Sequence, residues 1–472
     1  MARHHALNHN ASDTRRKPAG RPQVVVSRHL SPERMFILSF AGVICAGGLL
    51  LGLPVSAAKA PIPWVDALFQ SASAVCVTGL ATINVGQDLS TTGQVILMCL
   101  FQIGGLGILT FSTLFFVILG RGLASKERDI MQSVFLHTPR RDLGSILKFV
   151  FLSTLLYEGG GTLILWARFS QDYAWNEALY RGLFHAVSAF NNCGFSLFGD
   201  SFMSYQGDLV VNLTVMGLIV AGGIGFIVHY ELHMRIFGRQ RRLSVHTKMV
   251  LLVTTVLIIA GAALFYVFEH HRILQGLPLQ NRVLASFFQS ITPRTAGFNT
   301  VDIGLLANET ILVLVILMFI GASPGSTGGG VKTTSAGILF LLMWCRLRGR
   351  EDVNVFNRTI PKDLLNRAVS IILVSSLSIM VVASILLLSA PHPLHPTAGR
   401  HLFVEYLFET VSAFGTVGLS MGLTPSLNPL QKLAIIVMMF AGRVGPLTLA
   451  FSLARMTART GFTYAEEGVM VG

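Results

Sequence analysis

Four short segments hold the residues whose types and spacing could do chemistry. The chemistry they suggest belongs to main-chain carbonyls rather than side chains. The segments read ALFQSASAVCVTGL, GLFHAVSAFNNCGF, SFFQSITPRTAGF and YLFETVSAFGTVGL. In each, a Phe precedes a Gly by ten residues: Phe69/Gly79, Phe184/Gly194, Phe287/Gly297 and Phe408/Gly418. Ser73, Ser188 and Ser412 stand six before the Gly, with Ile291 as the exception, and Leu80, Phe195, Phe298 and Leu419 follow it. Glycine reaches positive φ at low cost, which lets successive carbonyls face one way. Four such loops around one axis would offer oxygens in place of the hydration shell of a monovalent cation. The loops themselves carry no Asp or Glu, which argues against a divalent-cation filter.

The elements that must position these loops are membrane helices. Of 472 residues, 52% are hydrophobic and only 12% charged, and the mean hydropathy is +0.62. A soluble fold could not hide that much apolar surface, so the expected class is an all-α membrane protein. Runs of about 20 apolar residues, the length needed to span a bilayer, lie near 35–54, 92–119, 144–167, 208–234, 246–268, 309–343, 366–390 and 430–454. Between alternate runs lie stretches too short to cross, near 63–75, 177–190, 281–291 and 401–413, each leading into a Gly loop. The spacing predicts eight transmembrane helices and four re-entrant pore helices, as four pseudo-symmetric helix–pore-helix–filter-loop–helix units around a central pore. The units are 35–120, 143–236, 245–347 and 364–457, after a basic tail 1–34 and before a C-terminal tail 458–472. Irregular backbone at membrane depth survives only where it is packed in protein or lines a water-filled cavity. Each short helix would also point the negative end of its dipole at the axis.

Charge placement predicts orientation. Of 36 Lys+Arg, 26 fall in the tail to Arg34, in 121–148, in 235–248, in 346–367 and after 454, all on one side of the membrane. By the positive-inside rule both termini are cytoplasmic, in a multi-pass cell-membrane protein. The formal charge of +13 is thus a topology signal and not a nucleic-acid footprint. The opposite connections hold Lys59, Arg168, Arg181, Arg272, Arg282, Arg294, Arg400 and Lys432 among more acids, including Asp66, Asp88, Asp172, Glu177, Asp200, Asp208, Glu269, Glu405 and Glu409. A mildly negative mouth would concentrate cations. The five cysteines form no CxxC pair, which speaks against a disulfide framework or zinc site. His4, His5 and His9 read as a solvated tail rather than a metal tract.

The second span of each unit breaks at small residues: Gly104–Gly107, Gly222–Gly225, Gly321–Gly330 and Gly442–Gly445. The third break, GASPGSTGGGVKTT, runs from 321 to 334. It is not a phosphate-binding loop, because Val331 stands before Lys332-Thr333 where that motif needs Gly, and no strand precedes it. Its other readings are a passive kink at Pro324 or a functional loop, and its five glycines in ten residues favour the second. Arg443 lies inside the last span, where an unpaired Arg costs about 3 kcal/mol or more and so faces a cavity or a partner. Glu158, inside the third span, reads as a polar tie between helices.

These residues resemble the Trk/Ktr/HKT superfamily of potassium transporters along essentially the whole span-bearing chain, and within it the KtrB branch. The resemblance implies a filter lined by the main chain of Val77-Thr78-Gly79, Asn192-Cys193-Gly194, Thr295-Ala296-Gly297 and Thr416-Val417-Gly418. Gly79 is of the potassium-selective type, where the plant branch has serine with sodium preference. It implies a mobile intramembrane gate formed by Gly321, Ala322, Ser323, Pro324, Gly325, Ser326, Thr327, Gly328, Gly329 and Gly330, closed by Lys332, with Arg443 projecting into the pore below the filter. It also implies a homodimer touching at the C-terminal EEGVMVG, and a soluble KtrA-like ring that binds nucleotide on the cytoplasmic face against 121–148, 346–367 and the basic tail; the other reading of these basic stretches is that they hold topology and meet anionic lipid, and the two are compatible. Sodium stimulation is common in such systems, although the sequence places no site for it. The long basic tail and Cys193 depart from the family pattern.

The expected function is therefore channel-like, passive, potential-driven K+ uptake with no covalent chemistry and no cofactor in this chain. The alternative is an alternating-access cation symporter using the broken sixth span. No His/Cys/carboxylate cluster or Ser-His-Asp arrangement supports a membrane enzyme.

Overall fold

The structure is a computed structural model, and it describes residues 32–107, 143–238, 242–390 and 400–445. Residues 1–31 of the basic tail, 108–142 with the end of the span read near 92–119, and 446–472 with the end of the span read near 430–454 and the C-terminal tail, lie outside the described residues.

The described chain is helical apart from a two-residue hairpin, β1 (Asn354–Val355) and β2 (Arg358–Thr359). It repeats one pattern four times: a long helix, a short helix, a loop through glycine, and a second helix that stops at glycine. The first unit has α1 (Pro32–Leu51), α2 (Trp64–Val75), a single turn α3 (Val85–Asp88) and α4 (Thr91–Leu106). The second has α5 (Leu143–Phe169), α6 (Trp175–Phe190), α7 (Leu209–Ile224) and α8 (Phe226–Ile236). The third has α9 (Val245–Glu269), α10 (Leu279–Ile291), α11 (Asn308–Phe319) and α12 (Thr333–Leu347). The fourth has α13 (Lys362–Leu388), α14 (Arg400–Gly415) and α15 (Pro429–Val444). This is the all-α membrane fold expected from the apolar runs.

The long helices α5, α9 and α13 are apolar enough and long enough to cross a bilayer unaided. Among the described residues the second helices are shorter, and three of them end at a positive-φ glycine: α4 at Gly107 (φ 83°), α7 at Gly225 (φ 94°) and α15 at Gly445 (φ 95°). The break at Gly225 turns the chain by 98° into α8. The cause is steric. A Cβ on Gly104, Gly222 or Gly442 would strike the main-chain oxygen of Val75, Phe190 or Phe414, so these helices pack backbone to backbone on the ends of the short ones. Polar caps start them, with Ser90, Asp208 and Asn428 accepting from Gly93, Val211 and Gln431 N–H.

Behind each loop a phenylalanine is wholly buried: Phe69, Phe184, Phe288 and Phe408. This corrects the register read from the sequence. Phe287 is 38% exposed, and Phe288 takes the interior place. The third loop is one residue shorter between helix and glycine, so Thr292, and not Ile291, is the counterpart of Ser73, Ser188 and Ser412. Its hydroxyl donates to the Phe298 carbonyl at 2.5 Å, as Ser188 does to Phe195 at 2.9 Å. In the other two units the bond runs the other way, from Gly79 N–H to Ser73 (3.0 Å) and from Gly418 N–H to Ser412 (3.1 Å).

Candidate functional site

The four loops meet. A Cβ built on Gly79 would run into the Cys193 carbonyl oxygen and lie 3.1 Å from the Gly194 Cα. One on Gly194 would meet the Ala296 oxygen and the Gly297 Cα, and one on Gly297 the Val417 oxygen and the Gly418 Cα. A Cβ on Gly418 would return to the Thr78 oxygen and the Gly79 Cα. The contacts close into a ring in chain order, with Thr78, Cys193, Ala296 and Val417 each presenting a carbonyl to the neighbouring loop. A Cβ at any of the four glycines would force the neighbouring loop's backbone to shift.

Backbone handedness repeats as well. Val77 (φ 57°), Asn192 (57°), Thr295 (71°) and Thr416 (50°) are left-handed, as are Gly79 (88°), Gly194 (79°), Gly297 (75°) and Gly418 (93°). For a non-glycine residue that conformation costs about 1–2 kcal/mol, more for β-branched Val and Thr, so the surroundings must hold it. Alternating handedness turns successive carbonyls to the same side of each loop. Sequence reasoning placed this freedom at the glycines alone, but the strain is shared with the residue two positions earlier.

Outside the ring lies a cavity of about 530 Å³ lined by all four glycines, with Asp88 and Asp200 on its wall. Several outer acids lie in ion pairs. Asp66 is paired with Lys432 at 2.6 Å, Asp172 and Asp208 with Arg168, and Glu177 with Arg181. Glu269, Glu409 and Arg294, read as part of the outer connections, are buried in the protein. Glu269 accepts from Ala307 N–H and the Thr310 hydroxyl, and so supplies the N-terminal cap that α11 lacks in its own sequence.

Inside the ring, the segment Gly321–Gly330 crosses beneath the loops. A parallel bridge between Ile320 and Val331 closes its base. Gly329 N–H donates to Thr416 Oγ1 at 2.9 Å, Thr327 Oγ1 to the Phe190 carbonyl at 3.3 Å, and Gly330 N–H to the Gly442 carbonyl at 3.3 Å. Ser323 N–H reaches the Gly223 oxygen at 3.0 Å, and Phe226 N–H reaches the Gly325 oxygen at 2.9 Å. Gly328 and Gly329 are pressed against the side chains of Thr295 and Thr416, leaving no room for a Cβ. Pro324, whose carbonyl faces Gly225, Ala322 and Ser326 complete the turn.

Two cations hold this segment through main-chain oxygens. Lys332 Nζ donates to the Gly328 carbonyl at 2.7 Å. Arg443 donates to the carbonyls of Thr327 and Gly104, and to Gly105 at 3.3 Å. Among the described residues neither forms an ion pair, and the partners of Arg443 are main-chain carbonyls. Glu158 is a polar tie, and its partners are now visible: Asn191 donates to it at 3.0 Å and Gln102 at 3.2 Å, joining α5 and α4 to the residue beside Asn192. The Asn192 amide, oriented so that its nitrogen donates to the Ala189 and Ile219 carbonyls, accepts from Thr295 Oγ1 at 3.1 Å and links two loops. No cluster of His, Cys, Asp and Glu among the described residues could hold a metal ion.

Comparisons agree on one relationship. The family model described as TrkH, cation transport protein, matches residues 41–459. The chain is 38% identical over 444 residues to the Ktr system potassium uptake protein B of Bacillus subtilis (strain 168), covering 94% of this chain and 97% of that protein. It is 37% identical to the protein of the same description from Vibrio alginolyticus, over 93% of this chain and 94% of the relative. With the potassium/sodium uptake protein NtpJ of Enterococcus hirae it shares 36%, over 95% and 98%. The crystal structure of the potassium transporter TrkH from Vibrio parahaemolyticus superposes with a TM-score of 0.70 at 19% identity, covering 91% of this chain and 86% of the other, a likeness of fold.

Proposed function

The chain belongs to the TrkH family of cation transport proteins, and from that premise we propose that it is a channel-like potassium uptake subunit. The observation that carries this reading is the closed ring of four glycines with a neighbouring carbonyl at each. A dehydrated monovalent ion is stabilised by such oxygens, and it needs no carboxylate to replace its shell. The filter is Val77–Gly79, Asn192–Gly194, Thr295–Gly297 and Thr416–Gly418. Ions move passively inward, since one charge gains about 2.3 kcal/mol per 100 mV of membrane potential. The segment Gly321–Gly330, with Lys332 and Arg443, is the gate.

The assembly is an eight-crossing protein of the cell membrane with cytoplasmic termini, supported by the Lys/Arg distribution. It works as a homodimer with a KtrA-like nucleotide-binding ring, and sodium stimulates it. The relatives' names, which speak of a system, support a separate partner.

The test is recording from the purified protein in a planar bilayer with K+ on one side and Na+ on the other. Unitary current steps with a reversal potential set by K+ are expected. Coupled uptake without unitary steps would favour the alternating-access symporter. A reversal potential indifferent to K+ would remove the potassium assignment, which the potassium/sodium name of the Enterococcus relative makes the pertinent rival.

A further inference from the structure

With the register corrected, the residue after the buried phenylalanine is polar in every unit: Gln70, His185, Gln289 and Glu409, all with no solvent exposure. They occupy the same position in the four short helices, behind the loops, and they are not used alike. His185 Nδ1 lies 2.7 Å from the Arg181 carbonyl and must donate to it. Its Nε2 is then an acceptor, 3.3 Å from Leu197 N–H and 2.9 Å from the Ser196 hydroxyl. Glu409 accepts from the Ser420 hydroxyl at 2.9 Å and from Thr424. Ser196 and Ser420 both stand two residues beyond the loop glycine, line the outer cavity, and accept a backbone N–H two residues on, from Phe198 and Gly422.

The other two positions hold less. Gln289 reaches Thr300 Oγ1 only at 3.5 Å. In the first unit Ala81 replaces the serine, and both amide atoms of Gln70 lack a partner among the described residues. The glycine contacts run from loop to loop in chain order, so the second and fourth loops face each other across the ring.

We propose that His185 and Glu409 are positioning residues that latch the outer limbs of two opposed loops, and thereby set the width of the outer ion cage and its preference for K+ over Na+. The pair acts on the ion only through Ser196, Ser420 and the backbone that these serines hold. A cage fixed across one diagonal cannot shrink around the smaller ion, whatever the slack of the other two loops.

This rests on the filter reading above, and the experiment separates the two. The K+/Na+ permeability ratio is measured by bi-ionic reversal potential on full-length protein in bilayers for Glu409→Gln, Glu409→Leu, Ser420→Ala, His185→Leu, Gln70→Leu and Gly79→Ser. The ratio should fall about tenfold in Glu409→Leu, Ser420→Ala and His185→Leu, the factor set by one lost hydrogen bond. Glu409→Gln, which still accepts from Ser420, should restore it, and Gln70→Leu should leave it unchanged. The pair Glu409→Leu/Ser420→Ala should lose no more than either alone. If Glu409→Leu does not reach the membrane, Ser420→Ala, the smaller change, decides. An unaltered ratio in Ser420→Ala and His185→Leu with a lowered ratio in Gly79→Ser overturns the latch and leaves the filter standing. An unaltered ratio in Gly79→Ser as well removes the filter itself.

Discussion

Arg443 shows how one side chain is made to serve two elements. It sits in the last turn of α15, where the helix dipole favours a cation. Its guanidinium bridges the carbonyls of Thr327 and Gly104, so it binds the segment below the ring to the second helix of the first unit. No carboxylate among the described residues neutralises it, and its charge therefore acts on anything moving along the axis. Two like charges about 4 Å apart repel by about 4 kcal/mol at an effective dielectric near 20. The carbonyls soften that figure, yet each ~1.4 kcal/mol of barrier is a factor of ten in rate. Arg443→Ala should raise K+ flux through reconstituted protein about tenfold or more. A flux equal to that of the parent protein, at equal amounts in the vesicle, would detach Arg443 from the barrier. Arg443→Lys should fall between, because Lys keeps the charge but cannot span two carbonyls in one plane.

At the scale of an element, the proposed gate is the segment Gly321–Gly330. It stands where the other units have one positive-φ glycine, and it inserts a loop in place of that single turn. Of its bonds to the other elements, those to Gly222, Phe190 and Gly442 are long, at 3.3 Å, while those to Gly223, Thr416 and Phe226 are 2.9–3.0 Å and Arg443 adds a charged one. Hydrogen bonds contribute about 1 kcal/mol each and those to a charged group more, so release of the loop is cheap only where the new position or a docked partner replaces most of them. Removing Gly328–Gly330 should increase K+ flux and make it insensitive to Arg443→Ala. Fluxes that still respond to Arg443 after the deletion would mean that the loop is not the element through which it acts.

The short helices were legible at this scale because a run too short to span, ending in glycine, has few other uses. Stretches read near 63–75, 177–190, 281–291 and 401–413 became α2, α6, α10 and α14. The register of the third was missed by one residue. Phe287 and Phe288 are adjacent and chemically identical, and only the threonine at 292 carries the signal. The polar position was equally present in the sequence, as a Gln, His, Gln or Glu after each phenylalanine. It went unseen because the misregister hid its third member. For Arg294 the sequence shows a place in an outer connection but not its burial, since burial of a cation cannot be read from a loop. Arg294 is 4% exposed, with a bond to Thr254 at 3.3 Å.

Over the whole molecule, pseudo-fourfold symmetry explains both what repeats and what does not. Loops separated by more than 100 residues touch only because each unit presents the same surface to the next. No local pattern in the chain encodes which loop neighbours which, whereas the contacts of Gly79, Gly194, Gly297 and Gly418 do. Departures from symmetry then mark divided labour: the inserted segment in the third unit, Arg443 in the fourth, and the tie from Glu158 in the second. The ring itself is what the transport proposal needs. Its most direct test is to replace K+ by Tl+, a heavier ion of similar size, and to locate it by anomalous scattering in crystals of the full chain. The expected result is a Tl+ peak on the common axis, enclosed by the carbonyls of Thr78, Cys193, Ala296 and Val417, and displaced by excess K+. A transport-competent preparation with Tl+ bound elsewhere and none within the ring would contradict it.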